Sequence, residues 1–143
     1  MPNQPIEDLA EGIRAHALGA PDIQALLSDD ELFRWYGATL EQNSTLPAVT
    51  VQQISGADAA ETHQGHSGLE VARYQITVWS TCRPKLVQLT WAINRRFHNF
   101  RGRMGGIEVQ RAAKLGQMDM GQNGPRNAYM RALDFSFLYR PPL

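Results

Sequence analysis

Apolar and polar residues alternate strictly across Val71–Trp79, and within a few residues the period of the pattern changes. Ala72, Tyr74, Ile76 and Val78 fall on one face of an extended chain, with Arg73, Gln75 and Thr77 between them. From Pro84 to Phe100, Leu86, Leu89, Ile93, Phe97 and Phe100 recur at helical spacing, with Trp91 flanking the stripe. A one-sided strand followed at once by a one-sided helix has few ways to hide both apolar faces. The direct one is a sheet with helices laid on one side. Pro84 suits the first helical turn, and Arg95, Arg96, His98 and Arg101 cluster at the other end, where cations complement the helix dipole.

The rest of the chain fits that frame. Ile6, Leu9, Ile13 and Leu18 predict an amphipathic helix over about Pro5–Leu18, stopped by Gly19 and Pro21. A short helix from Asp22 to Leu27, capped by Asp22, follows, and Glu31–Tyr36 reads as a short strand. In Leu46–Ser55, Val49 and Val51 oppose Thr50 and Gln52, a strand pattern. Ile107, Val109, Ala113 and Leu115 mark one face of a further strand. Tyr129, Leu133, Phe135, Phe137 and Tyr139 mark one face of a long aromatic last strand, a face open to packing across subunits. Residues 56–68 and 116–126 lack a hydrophobic period and read as long flexible loops, and 140–143 as a short tail. The expected fold is α+β: a mostly antiparallel sheet of about four to five strands, with the long helix and the N-terminal helix on one face. One domain over residues 1–143 is expected, because a chain of this length buries roughly 68–70% of its unfolded surface, enough for one core.

Composition removes several classes. There is no run of about 18 apolar residues, so no membrane partner is expected. The single Cys82 leaves no disulfide framework and no multi-cysteine zinc site. MPNQPIEDLAEG has no secretory pattern, and the expected setting is a reducing compartment. The formal charge is zero, yet residues 1–70 carry eleven acids against two bases, and residues 71–143 twelve bases against three acids. Such polarity can pair two halves of one fold, join neighbouring subunits head to tail, or face nucleic acid.

Signals for chemistry are weak. His63 and His66, with Glu61 or Asp58, are the nearest approach to a metal site, but they lie among glycines without a rigid scaffold, and solvated loop histidines are the ordinary reading. Cys82 stands before Arg83-Pro84 at a helix start, a position that can activate a thiol, yet no histidine neighbours it. Residues 95–103 interleave arginines with Phe97 and Phe100 as single-strand binders do, although both aromatics belong to the helix stripe. The glycines at 102, 105 and 106 make no phosphate loop, and Asp29-Asp30-Glu31 make no catalytic carboxylate pair. No enzyme activity and no cofactor are expected. Binding or assembly is the expected occupation.

Five stretches in order, LLSDDELFRWYG, LPAVTVQQISG, LEVARYQITVWS, PKLVQLTWAINRRFHNF and AYMRALDFSFLYRPP, resemble the tail-terminator (tail-completion) proteins of long-tailed bacteriophages and related phage-like particles. The likeness lies in the order and spacing of strand and helix patterns rather than in any catalytic signature. It implies a structural virion protein at the head–tail junction, assembled in the host bacterial cytoplasm. It implies a homo-hexameric ring on the head-proximal end of the tail tube, where the ring ends tube polymerisation and docks the tail to the head. The implied partners are the chain itself, the major tail-tube protein, a head-completion or connector protein, and DNA passing through the lumen without sequence-specific binding. Another neck protein, or a nucleic-acid-binding module using 95–103, is the alternative. The loops and the basic helix end then become candidate contact sites: Asp58, Glu61, His63, His66, Arg95, Arg96, Arg101, Arg103, Met118, Met120 and Arg126.

Overall fold

The computed structural model of the chain describes residues 8–29, 32–37, 40, 45–58, 61–62, 65–66, 68–123 and 128–141. Three helices, α1 (Leu9–Leu18), α2 (Pro21–Leu27) and α3 (Arg83–Phe97), pack against a six-stranded sheet. In spatial order the sheet runs β3 (Trp35–Tyr36), β4 (Ala48–Asp58), β7 (Glu70–Ser80), β10 (Ala128–Arg140), β9 (Ile107–Asn123) and β8 (Gly102–Met104). Every pairing in it is antiparallel except β3 with β4. Two small ribbons stand apart, β1 (Ser28–Asp29) with β2 (Leu32–Phe33) and β5 (Glu61–Thr62) with β6 (Gly65–His66).

The alternation in β7 does the work expected of it. Ala72, Tyr74, Ile76 and Val78 are buried under the helices, beside Leu133, Phe135 and Phe137 of β10 and Val49 and Val51 of β4. From α3 come Leu86, Leu89, Ile93 and Phe97, and from α1 and α2 Leu9, Ile13, Ile23 and Leu27. Phe97 is the hinge of this core, its ring 5.7 Å from Phe135 and 6.1 Å from Phe137 at tilted and edge-on angles. Such pairs add about 0.5–1.5 kcal/mol each beyond area burial. The aromatic face of β10 is therefore spent inside the subunit, against the expectation that it stays open for packing between subunits.

The helices are also tied to one another by polar groups. The Arg96 guanidinium donates from Nε to the His16 carbonyl at 2.8 Å, and the buried His16 ring lies 3.1 Å from the Arg96 carbonyl. These reciprocal contacts join the C-terminal ends of α1 and α3, where unsatisfied carbonyls need donors. The α1 axis passes so close to β8 that a Cβ on Gly12 would lie 2.6 Å from the Met104 carbonyl oxygen.

Several boundaries differ from the sequence expectation, each for a physical reason. Helix α1 starts at Leu9 with the Asp8 carboxylate accepting from Glu11 N, and Pro5 lies outside the described residues. Pro21 rather than Asp22 opens α2, since its fixed φ suits a first helical position; Asp22 sits in the first turn and accepts from Ile23 N. The stretch 31–36 is not one strand. Arg34 interrupts it, bonding the Pro47 and Leu26 carbonyls, so Leu32–Phe33 and Trp35–Tyr36 join different sheets. Helix α3 ends at Phe97, because Asn99 turns left-handed at φ 55° and carries Phe100 back onto the core as a partly buried residue. The sheet is mixed and has six strands rather than four to five. The largest corrections are the two loops. Strand β4 runs through Asp58 and β5–β6 follow within 56–68, while β9 runs through 116–123 to meet β10. Backbone pairing needs no apolar period, so polar strands were invisible to it.

Candidate subunit interface

Among the described residues, both sides of the large sheet end in long unpaired edges. On one side β3 covers β4 only at Val49 and Thr50. Among the described residues nothing pairs with the outer edge from Val51 to Asp58. On the other side β8 covers β9 only from Ile107 to Val109, and the Phe100 carbonyl accepts from Ala112 N at 2.9 Å. Beyond Ala112 the edge is open to Asn123 among the described residues.

Irregularities decide what these edges display. In β9 the register against β10 slips at three places, leaving Gln110, Leu115 and Met120 without a facing residue. Each extra residue bends the strand and reverses which side chains face the core. After Gln110 it is Ala112, not Ala113, that is buried, and Leu115 is 53% exposed rather than core. Residues 115–120 are exposed on both faces, with Met118 at 65%. Strand β4 has one such slip, at Ile54, which is 46% exposed. Apolar side chains thus sit on both open edges, among polar neighbours, where an isolated chain would gain nothing by showing them.

Beside the β9 edge, α3 presents Trp91 at 61% exposure. Two residues from both Leu89 and Ile93, it lies roughly 200° around the helix from the buried stripe. Trp91 and Arg95, one turn apart, form a ridge between two grooves. The groove toward β9, about 720 Å³, has Thr90, Asn94 and His98 on the helix side and Lys114, Gln117 and Arg131 on the sheet side. The one toward α2, about 560 Å³, is lined by Leu26, Val87, Ala92 and Asp22. The β9-side groove is cationic. Arg131, only 7% exposed, holds Asp119 with Nε and Nη2, which keeps the Asp119 carboxyl below its ordinary range. Arg95 pairs with Asp22 at 2.9 Å and lowers that carboxyl likewise. Lys114 donates to Gln117 Oε1 at 2.6 Å; burial, and secondarily the Arg131 charge, push its ammonium pKa down. Asn94 Oδ1 is buried there with no donor among the described residues.

The residues expected at contacts are scattered rather than gathered. Arg95 and Arg96 are engaged inside the subunit, and Arg101 and Arg103 are exposed at the β8 side. Met118 and Met120 lie on the β9 edge. Asp58, Glu61 and His66 lie on β4, β5 and β6, while His63 and Arg126 fall outside the described residues. No group of three metal-binding side chains occurs among the described residues. Cys82 is exposed at the position before α3 and makes no capping bond. No described helix is long and apolar enough to cross a membrane. Trp91, Lys114, Leu115 and Ile54 were not anticipated. Trp91 alone had a signal, its angular offset from the stripe, whereas the others depend on bulges.

Comparison with known proteins adds two findings. Residues 11–119 match the family described as Tail completion protein gp17. The fold is similar to a chain in a structure titled "Virion of native gene transfer agent (GTA) particle", at a TM-score of 0.70 and 12% identity, covering 92% of this chain and 93% of that one. No curated protein matches the sequence.

Proposed function

Because this chain belongs to the tail completion protein gp17 family, a structural family of phage tails, we propose that it closes the tail tube as a ring of six copies at the head-proximal end. The observation that carries the ring is the pair of open edges, β4 on one side of the sheet and β9 on the other. Two different surfaces that complement each other make a head-to-tail joint, and such joints close into rings when the rotation per copy divides a full turn. Strand addition of β4 from one copy to β9 of the next would satisfy both rows of backbone groups. Ile54 would then come to rest near Leu115, Met118 and Met120. The ring ends tube growth, docks to a head-completion or connector protein, and lets DNA pass without reading its sequence. It works as a virion component assembled in the host cytoplasm, without catalysis.

The reading of 95–103 as a nucleic-acid module is the weaker one, since Phe97 is fully buried and Arg95 and Arg96 are bound to Asp22 and His16. Native mass spectrometry of the purified chain, alone, with its tail-tube protein and with the connector protein, tests the ring. A discrete six-copy species is expected. Monomer both alone and with tube protein overturns the ring. Capture of the connector but never of the tube would reassign the protein to the head side of the neck.

A further inference from the structure

We propose that the helix-free face of the large sheet lines the bore of the ring, with the three helices outside, and that this face is the wall along which double-stranded DNA passes. The inference rests on the six-copy ring joined through β4 and β9, and it names the surface that such a ring turns toward DNA.

Three observations converge on it. The first is that the helices cover the sheet on one side only. Ala72, Tyr74, Ile76 and Val78 of β7 and Leu133, Phe135 and Phe137 of β10 form the core with them. The residues that alternate with these point to the opposite face. There Gln75 faces Gln52 on β4 and Asp134 on β10, and Asp134 faces Gly116 on β9. Gln52 and the neighbouring Arg73 are exposed, and none of the three helices lies over that row.

The second observation is room. Strands β4, β7, β10 and β9 lie side by side and alternate in direction, so adding β4 of one copy antiparallel to β9 of the next continues the sheet around the ring. Six copies of these four strands span roughly 115 Å around at 4.8 Å per strand. The two open stretches are offset along the strands. The middle of the one on β9, Met118, is level with Thr77 of β7, and the middle of the one on β4, Ser55, is level with Arg73. That step of four residues, about 13 Å for each copy, tilts the strands by about 35° and sets the sheet at a radius of about 22 Å. Side chains of the bare face take about 5 Å of this and leave a bore about 34 Å wide. Helices turned inward would take about 15 Å, a layer spacing plus a helix radius, and leave a bore of about 14 Å. A DNA duplex, roughly 20 Å across, clears the first bore and not the second.

The third observation is charge. In the middle of the bare face the charges cancel, Arg73 pairing with Asp134 at 3.4 Å. Spare cations collect at one end. Glu108 faces both Arg140, 3.8 Å away, and Arg103 on β8, while Arg111 faces Leu138 beside them. Arg103 and Arg111 are exposed and have no carboxylate partner among the described residues. In the ring they form a basic rim at one mouth of the bore. Such cations attract phosphates without reading bases.

Dipolar EPR on rings of single-cysteine variants, made in a Cys82→Ser background, tests the wall. In a six-fold ring the shortest spacing between equivalent labels equals their distance from the axis. Nitroxides on Gln75→Cys and on Ser136→Cys, both on the bare face, are expected about 17 Å apart. Those on Gln88→Cys, exposed on α3, are expected at about 35 Å or more. Native mass spectrometry establishes the ring for each variant, alone or with tail-tube protein, and thermal melting checks its fold. The Gln88 spacing decides even where labels in the bore block closure, because inward helices would bring these labels within about 15 Å. A shorter spacing at Gln88 than at Gln75 overturns the wall and leaves the ring standing. Equal spacings overturn it too, since the bare face would then look along the axis toward tube or connector. If wild type stays monomeric alone and with tube protein, the ring falls and the wall with it.

Discussion

Gly12 is where α1 crosses β8, and Gly12→Ala sets two effects of opposite sign against each other. Alanine is favoured over glycine in a helix interior by about 1 kcal/mol, so a free α1 surface would make the variant more stable. The new methyl, however, would stand 2.6 Å from the Met104 carbonyl oxygen and 3.4 Å from its carbon. Ordinary contact begins near 3.4 Å, so helix or strand must give by most of an ångström. Met104 is held on both sides, its side chain fully buried and its backbone paired with Ile107. Overpacking of this kind costs about 1–3 kcal/mol, and a backbone obstacle belongs at the upper end. The net expectation is a loss of about 1–2 kcal/mol, which for a domain of this size lowers the melting temperature by roughly 2–8 °C. Urea unfolding followed by circular dichroism reads it directly. Ala15→Gly, on the exposed side of the same helix, calibrates the propensity term at about 1 kcal/mol of loss. A Gly12→Ala protein as stable as wild type, beside a destabilised Ala15→Gly, would refute the close approach of α1 to β8.

Phe97→Ala, which empties the centre of the aromatic cluster, should cost about 3–5 kcal/mol in the same urea assay. His16 is buried against Phe97 and Phe100; burial chiefly, and the Arg96 charge less, lower its pKa, while the Arg96 carbonyl opposes them. As pH falls through the ordinary value of 6.5 the unfolded chain takes up this proton first. Stability should thus be complete above that pH and decline below it, with His16→Gln showing a flatter unfolding midpoint between pH 7.5 and 5.5. Arg95→Ala should change stability by only about 0–1 kcal/mol, because its bond to Asp22 lies in solvent, and a larger loss by thermal melting would contradict that.

What could be read without coordinates was the set of elements with a strong apolar period. The alternation of β7 and the stripe of α3 name their buried residues correctly because packing against one neighbouring layer selects residues at a single fixed spacing. Where the period is broken by one residue, the same logic fails. A reader counting in twos from Ile107 and Val109 arrives at Ala113 and Leu115, and the bulge at Gln110 makes that answer wrong. Nothing local to β9 announces the bulge, which shows only in its register against β10. The polar ends of β4 and β9 read as loops for a related reason, since their order comes from backbone bonds to β7 and β10 rather than from burial.

The candidate interface divides along the same line. Charge polarity between the two halves of the chain is a property of the sequence, and so is the likeness to tail-completion proteins, which survives in the order of amphipathic segments. Which charges are free is a tertiary matter: Arg95 and Arg96 looked available and are committed to Asp22 and His16, while Lys114, which the sequence did not single out, stands in a groove. A residue's type and its neighbours in the chain settle whether it can be buried or charged. Whether its partner lies in the same subunit depends on contacts between residues distant in sequence, as with Asp22 and Arg95, and only the folded chain brings those together.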